Sequence, residues 1–73
     1  MNNIYTHLKS AKLYEVIGIA RCVKKPHIKQ IIYKQLYVSN LRGDIKTKLE
    51  YGTLWIRKES DFNKKFKKSY LIY

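Results

Sequence analysis

Acid is what this chain has least of: five Asp and Glu stand against sixteen Lys and Arg, a net charge of +11 over 73 residues. With Glu15, Asp44, Glu50, Glu59 and Asp61 spread along the chain, no nucleophile–base pair or coupled pair of titratable groups is legible. Cysteine is down to one, Cys22, so no internal disulfide can staple the fold, and a reduced, cytoplasmic setting fits best. That thiol lies near Arg21 and Lys24 without a base partner and reads as a strand-end residue. Two histidines and one cysteine in separate segments give no metal-ligand spacing, and there is no glycine-rich phosphate loop. No apolar run approaches the roughly 18 residues that span a bilayer, and the Met1–Tyr5 start lacks a basic-then-apolar signal. An enzyme, a metal site and a bound cofactor are therefore not expected.

Arginine is scarce too. Only Arg21, Arg42 and Arg57 are present, so thirteen of the sixteen basic residues are Lys. Lys, Ile, Tyr and Asn share A- and T-rich codons, and base composition alone can raise them together. Selected phosphate sites favour the two-pronged guanidinium, yet lysines also neutralise phosphates and draw in polyanions. The charge permits nucleic-acid contact without demonstrating it.

What remains is apolar and aromatic. The chain is 45% hydrophobic, with seven Tyr, two Phe and one Trp, which is the composition of one small globular domain spanning 1–73. Leu13–Val23 and Leu54–Arg57 are dense in β-branched and aromatic residues, the types that fit a pleated sheet. In the first of these, Tyr14, Val16, Gly18 and Ala20 fall on one face and Leu13, Glu15, Ile17, Ile19 and Arg21 on the other. Ile4–Leu8 is a short opening strand, Lys24–His27 a proline turn, and Ile28–Val38 a second long strand paired antiparallel to the first. Ser39–Asp44 breaks the pattern as a turn, Ile45–Tyr51 is a short irregular strand, and Gly52-Thr53 leads into the last core strand. Phe62, Phe66, Tyr70 and Tyr73 then recur at three- and four-residue spacing among lysines. That predicts a basic amphipathic helix over 60–72, capped by Ser60 and packed on a core drawn from 4–58.

Four motifs in order carry a resemblance. Tyr5-Thr6-His7-Leu8-Lys9, Leu13 to Arg21, Ile31 to Tyr37 and Tyr51 to Arg57, with Phe62 after them, resemble a family of small bacterial domains of unknown function. Its pattern runs Y-x-H-Y-K-G, Y-E-V-x-G-x-A-x-H-S-E-T, V-V-Y-x-x-L-Y and L-W-V-R-P-x-x-M-F. The resemblance spans about Tyr5 to Phe62 and implies a mainly β fold, a small SH3-like antiparallel barrel or roll, with no established activity. Here the family's Lys-Gly turn is Lys9-Ser10, its His-Ser-Glu-Thr is Cys22-Val23-Lys24-Lys25, and its Pro after Arg is Lys58.

In a closed barrel the first segment and the first and last strands converge, so Tyr5, His7, Glu15, Trp55 and Arg57 form the best candidate constellation. Glu15 and Arg57 are placed to pair across it, most simply as a structural ion pair. As a site, Arg57 and His7 would meet an anion between the Trp55 and Tyr5 rings. Arg42, Lys46, Lys48, Lys64, Lys65, Lys67 and Lys68 are candidate polyanion contacts. The function expected is a non-enzymatic binding module for a phosphate-bearing partner, a nucleic acid or nucleotide-type ligand. The alternative is a protein-interaction domain that takes a peptide at a strand edge or aromatic groove.

Overall fold

The strand-forming segments build most of the computed structural model of the chain, which describes residues 3–41 and 44–69. In chain order its elements are β1 (Ile4–His7), β2 (Leu13–Arg21), β3 (Lys29–Gln35), β4 (Ser39–Leu41), β5 (Asp44–Leu49), β6 (Leu54–Lys58), α1 (Glu59–Lys65) and β7 (Phe66–Lys68). Five strands make one antiparallel sheet in the order β6-β3-β2-β1-β7, and β4 pairs with β5 as a separate two-stranded sheet. The expected turn between β2 and β3 is present. Lys25 N–H donates to the Cys22 carbonyl at 3.1 Å, and the Arg21 guanidinium donates to the Pro26 carbonyl at 2.9 Å. No helix among the described residues is long and apolar enough to cross a membrane.

The sheet does not close into a barrel. β6 and β7 lie at opposite edges, and no ladder joins them among the described residues. α1 connects the two edges instead and packs on β3, β6 and β7. A helix seated over one face supplies the apolar cover that closure would otherwise provide. That face is built by register: Tyr5 stands opposite Tyr14, Val16 opposite Tyr33, Tyr33 opposite Trp55, Ile31 opposite Arg57 and His7 opposite Phe66.

The C-terminal helix is shorter than its aromatic spacing predicts. Lys58, not Ser60, holds the cap position, with no side-chain cap bond, and the helix ends at Lys65. Phe66 is already extended, at φ −127° and ψ 149°. From there β7 takes the free edge of β1, where Leu8 N–H donates to the Lys65 carbonyl and Ser69 N–H to that of Ile4, both at 2.9 Å. Helix propensity differs by only about 0.7 kcal/mol among ordinary residues. Pairing a bare strand edge satisfies several backbone groups at once, and it wins. Residues 70–72 of the predicted helix lie outside the described residues.

The core therefore runs past residue 58. Ile31, Tyr33, Phe62 and Phe66 are its buried members, with Tyr5, Tyr14, Val16 and Trp55 packed against them. Phe62 and Phe66 stack at 4.3 Å and 4°, and Tyr33 meets them at 5.3 and 5.1 Å. A bulge between Val16 and Gly18 shifts the alternation of β2, so that Ile19 stands opposite Ile31 and Gly18 opposite Ile32. The single face drawn through Tyr14, Val16, Gly18 and Ala20 thus holds only as far as Val16.

Candidate functional site

The helix-covered face brings together four of the five candidate residues and leaves one out. Tyr5, His7, Trp55 and Arg57 lie on it, whereas Glu15 stands opposite Ile4 and Lys34 on the other face and pairs with the Lys34 ammonium at 3.1 Å. The expected Glu15–Arg57 pair does not form. Antiparallel register fixes this: Glu15 is one residue from Tyr14 and must point away from it. Tyr5 meets Phe62 edge-on at 5.2 Å and serves as core wall.

Two adjoining clefts open on this face. The first, about 490 Å³, is lined by His7, Ser10, Tyr14, Tyr33, Tyr37, Trp55, Arg57 and Phe66. The second, about 480 Å³, is lined by His7, Leu8, Lys9, Arg57, Lys64 and Lys65. Both volumes fall in the range of small-molecule sites. One is aromatic and the other basic, and His7 and Arg57 belong to both. A third hollow, of about 370 Å³, lies among His27, Lys29, Lys58 and Glu59 and contains none of the candidate constellation.

Local bonding fixes the two shared residues. His7 N–H donates to the Lys12 carbonyl at 2.9 Å, and Ala11 N–H to the His7 carbonyl at 2.8 Å, closing the turn from β1 to β2. Ser10 N–H donates to His7 Nδ1 at 3.3 Å, and Ser10 Oγ lies 2.9 Å from the same nitrogen. A ring nitrogen that accepts a backbone N–H carries no proton, so the neutral ring holds its hydrogen on Nε2. Burial lowers the His7 pKa, and Arg57, Lys65 and Lys9 lower it further. Ala11 sits in this turn at φ 61°, in the left-handed region. That conformation costs an L-residue roughly 1–2 kcal/mol, of which glycine returns part to chain entropy. Ala11→Gly is expected to stabilise the fold by about 0.5 kcal/mol, read as a higher urea midpoint.

Arg57 is held from two sides. Its Nε donates to the Tyr33 hydroxyl at 2.9 Å and its Nη1 to Asp61 Oδ2 at 2.6 Å, while the guanidinium lies 5.7 Å from the Phe66 ring centre. Asp61 Oδ1 also meets the Lys65 ammonium at 3.3 Å. The Arg57 hydrogen bond holds the Asp61 carboxyl below the usual range, with Lys65 assisting. A lowered folded value means that this pair stabilises fully above the unfolded carboxyl pKa of about 3.9, and less as pH falls through the folded value. Thermal melts between pH 6 and pH 2.5 should show a loss on acidification that is shallower in Asp61→Asn. Equal slopes would remove Asp61 from the acid response. Burial raises the Tyr14 and Tyr33 phenols, and Tyr14 shares a hydrogen bond with Tyr37, so these rings stay neutral at ordinary pH.

Several residues at the site were missed at the level of sequence. Tyr14, Tyr33 and Tyr37 line the aromatic cleft; the signal for Tyr14 and Tyr33 was alternation on the paired strands β2 and β3, whereas Tyr37 lies in the bend just past β3. Gln35 is only 1% exposed. Its amide donates to the carbonyls of Tyr37 (2.9 Å) and Leu49 (3.1 Å), and its carbonyl accepts from Trp55 Nε1 at 2.9 Å. It holds Trp55 at the cleft and ties β5 to the sheet. Of the candidate polyanion contacts, Lys64 and Lys65 line the basic cleft. Lys67 and Lys68 lie in β7 opposite Thr6 and Tyr5, and Lys48 is in β5 at 3.9 Å from Glu50. Arg42 and the Lys46 side chain lie outside the described residues.

No protein-family model, curated protein or solved structure matches this chain.

Proposed function

We propose that this chain is a non-catalytic binding module for a nucleotide unit, either free or within a nucleic-acid strand. The aromatic cleft takes the base, and the adjoining basic cleft takes its phosphate. One observation carries the reading: His7 and Arg57 line both clefts, so a ring bound beside Trp55 places its attached anion within reach of Lys9, Lys64 and Lys65. Base–aromatic stacking is worth about 1–3 kcal/mol per base and tolerates any base, while lysines add charge that salt screens. We read the fold as related to SH3-like rolls, on the order of the motifs between Tyr5 and Phe62.

Trp55 is the single tryptophan and lines the aromatic cleft, so its fluorescence should change when a short single-stranded oligonucleotide binds. With two to four phosphates contacted, log affinity should fall against log salt with a slope of roughly −1.4 to −2.8. A slope near zero, with no change at Trp55, would end the reading. Lys65→Gln should weaken binding and flatten the slope by about 0.7, while Lys48→Gln, at a residue that lines neither cleft, should do neither. Affinity should also rise as pH falls through the lowered His7 value, because an anion favours the imidazolium. A phosphodiester keeps its charge over that range, so the change belongs to the protein. His7→Gln should abolish this pH dependence.

A further inference from the structure

We infer that the sheet face opposite α1 docks an acidic, apolar-centred segment of another protein. Register places Gly18, Ile32 and Ile56 in one row across three strands of this face, and Ile4, Glu15, Lys34 and Leu54 in another. Ile17 is the extra residue of the bulge beside the first row. Three of these apolar residues are open to solvent: Ile17 is 51% exposed, Leu54 60% and Ile56 55%. Scattered exposed apolar residues are ordinary, but here they stand in neighbouring register rows running from the edge strand β6 across β3 to β2, a contiguous set that marks an interaction surface.

Gly18 is the second observation. Its backbone is not in the left-handed region, and a Cβ built there meets nothing within 4 Å. Neither backbone conformation nor crowding requires glycine at this position, and glycine in a strand weakens it. What it leaves is an open notch in the row beside Ile17 and Ile32, which a side chain of an incoming partner can occupy.

Charge selects the occupant. Around the apolar rows the register positions hold Lys34, Lys58 and Lys67 against the single acid Glu15, which Lys34 already neutralises. A second copy carrying +11 would bring the same lysines against one another. The register positions of this face carry no Trp or Tyr, the residues that anchor a protein at a bilayer interface. An acidic partner with an apolar stripe meets both features.

The test is an amide-resolved NMR titration of the full chain with a synthetic peptide carrying a Leu stripe flanked by Glu, beside its Lys-for-Glu counterpart. The acidic peptide should produce saturable shifts at Ile17, Gly18, Ile32 and Ile56, and the basic one none. Gly18→Val should weaken the acidic peptide by about tenfold or more by filling the notch, with the melting temperature unchanged or raised. Unaltered binding to Gly18→Val, equal response to both peptides, shifts confined to the Trp55 side, or no shifts at all would each overturn the proposal. So would dimerisation of the chain, or binding to anionic phospholipid vesicles, that Gly18→Val abolishes.

Discussion

Gln35→Leu is expected to destabilise the fold by about 3–4 kcal/mol, a large share of the roughly 4–11 kcal/mol available to a chain of this size. The leucine fills the space but leaves three groups without their partner: Trp55 Nε1 and the carbonyls of Tyr37 and Leu49. Each orphaned buried group costs about 1–3 kcal/mol, discounted where water can reach it. The backbone bonds of Gln35, to the Thr53 carbonyl at 3.0 Å and from Gly52 N–H at 2.8 Å, survive the change, so the effect isolates the side chain. Trp55→Phe breaks one of these three bonds, the donor to Oε1, and trims part of the ring packed against the core, and should cost about half as much. Urea unfolding of the two variants measures both. Hydrogen exchange should also quicken across β4 and β5, which the side chain ties to the sheet through Leu49. A loss below about 1 kcal/mol for Gln35→Leu would show that this polar hub does not sustain the fold.

The strands were legible because period-two alternation is a local property. Leu13–Arg21 and Leu54–Lys58 declare themselves through residue type, and the proline turn joins β2 to β3 at the expected place. Three features were not local. The spacing of Phe62 and Phe66 fits one helical stripe, yet Phe66 leaves the helix because β1 offers a bare edge. Nothing within the segment reports that edge. Closure into a barrel depends on what covers the apolar face, and α1 occupies it. The bulge at Val16/Gly18 shifts the alternation of β2 by a single residue, and Gly18 permits it without dictating the register.

The candidate site was legible in part for the same reason. Tyr5, His7, Trp55 and Arg57 reach one face because their strands pair in a register that alternation sets. Glu15 belongs to the constellation only if a closed barrel brings the strands together; in the open sheet it points to the other face and finds Lys34 instead. The actual partner of Arg57 is Asp61, four residues along and in a different element. In sequence, Asp61 stands only as one of five scattered acids. Its position beside Arg57 appears only once α1 is laid across the sheet. Lys64 and Lys65 owe their place in the basic cleft to the same docking, so the site depends on the helix as much as on the strands.

That dependence sets the second large effect. Phe62→Ala is expected to cost about 3–5 kcal/mol, enough to unfold much of the population if total stability lies near the low end of its range. Phe62 is 2% exposed, stacks on Phe66 and meets Tyr5 and Tyr33 through its ring, so truncation opens a cavity where three elements converge. Phe62→Leu keeps most of the volume and loses the ring geometry, for about 1.5–2.5 kcal/mol. Phe62 lines neither cleft, so the pair of variants reads the fold before it reads the site. Urea midpoints should fall in the order wild type, Leu, Ala. If the proposed function holds, oligonucleotide affinity per folded molecule should fall with them only as far as α1 loosens, because the helix carries Asp61, Lys64 and Lys65. A cost for alanine below about 1.5 kcal/mol would mean that the open sheet stands without its helix, and that the clefts rest on an appendage.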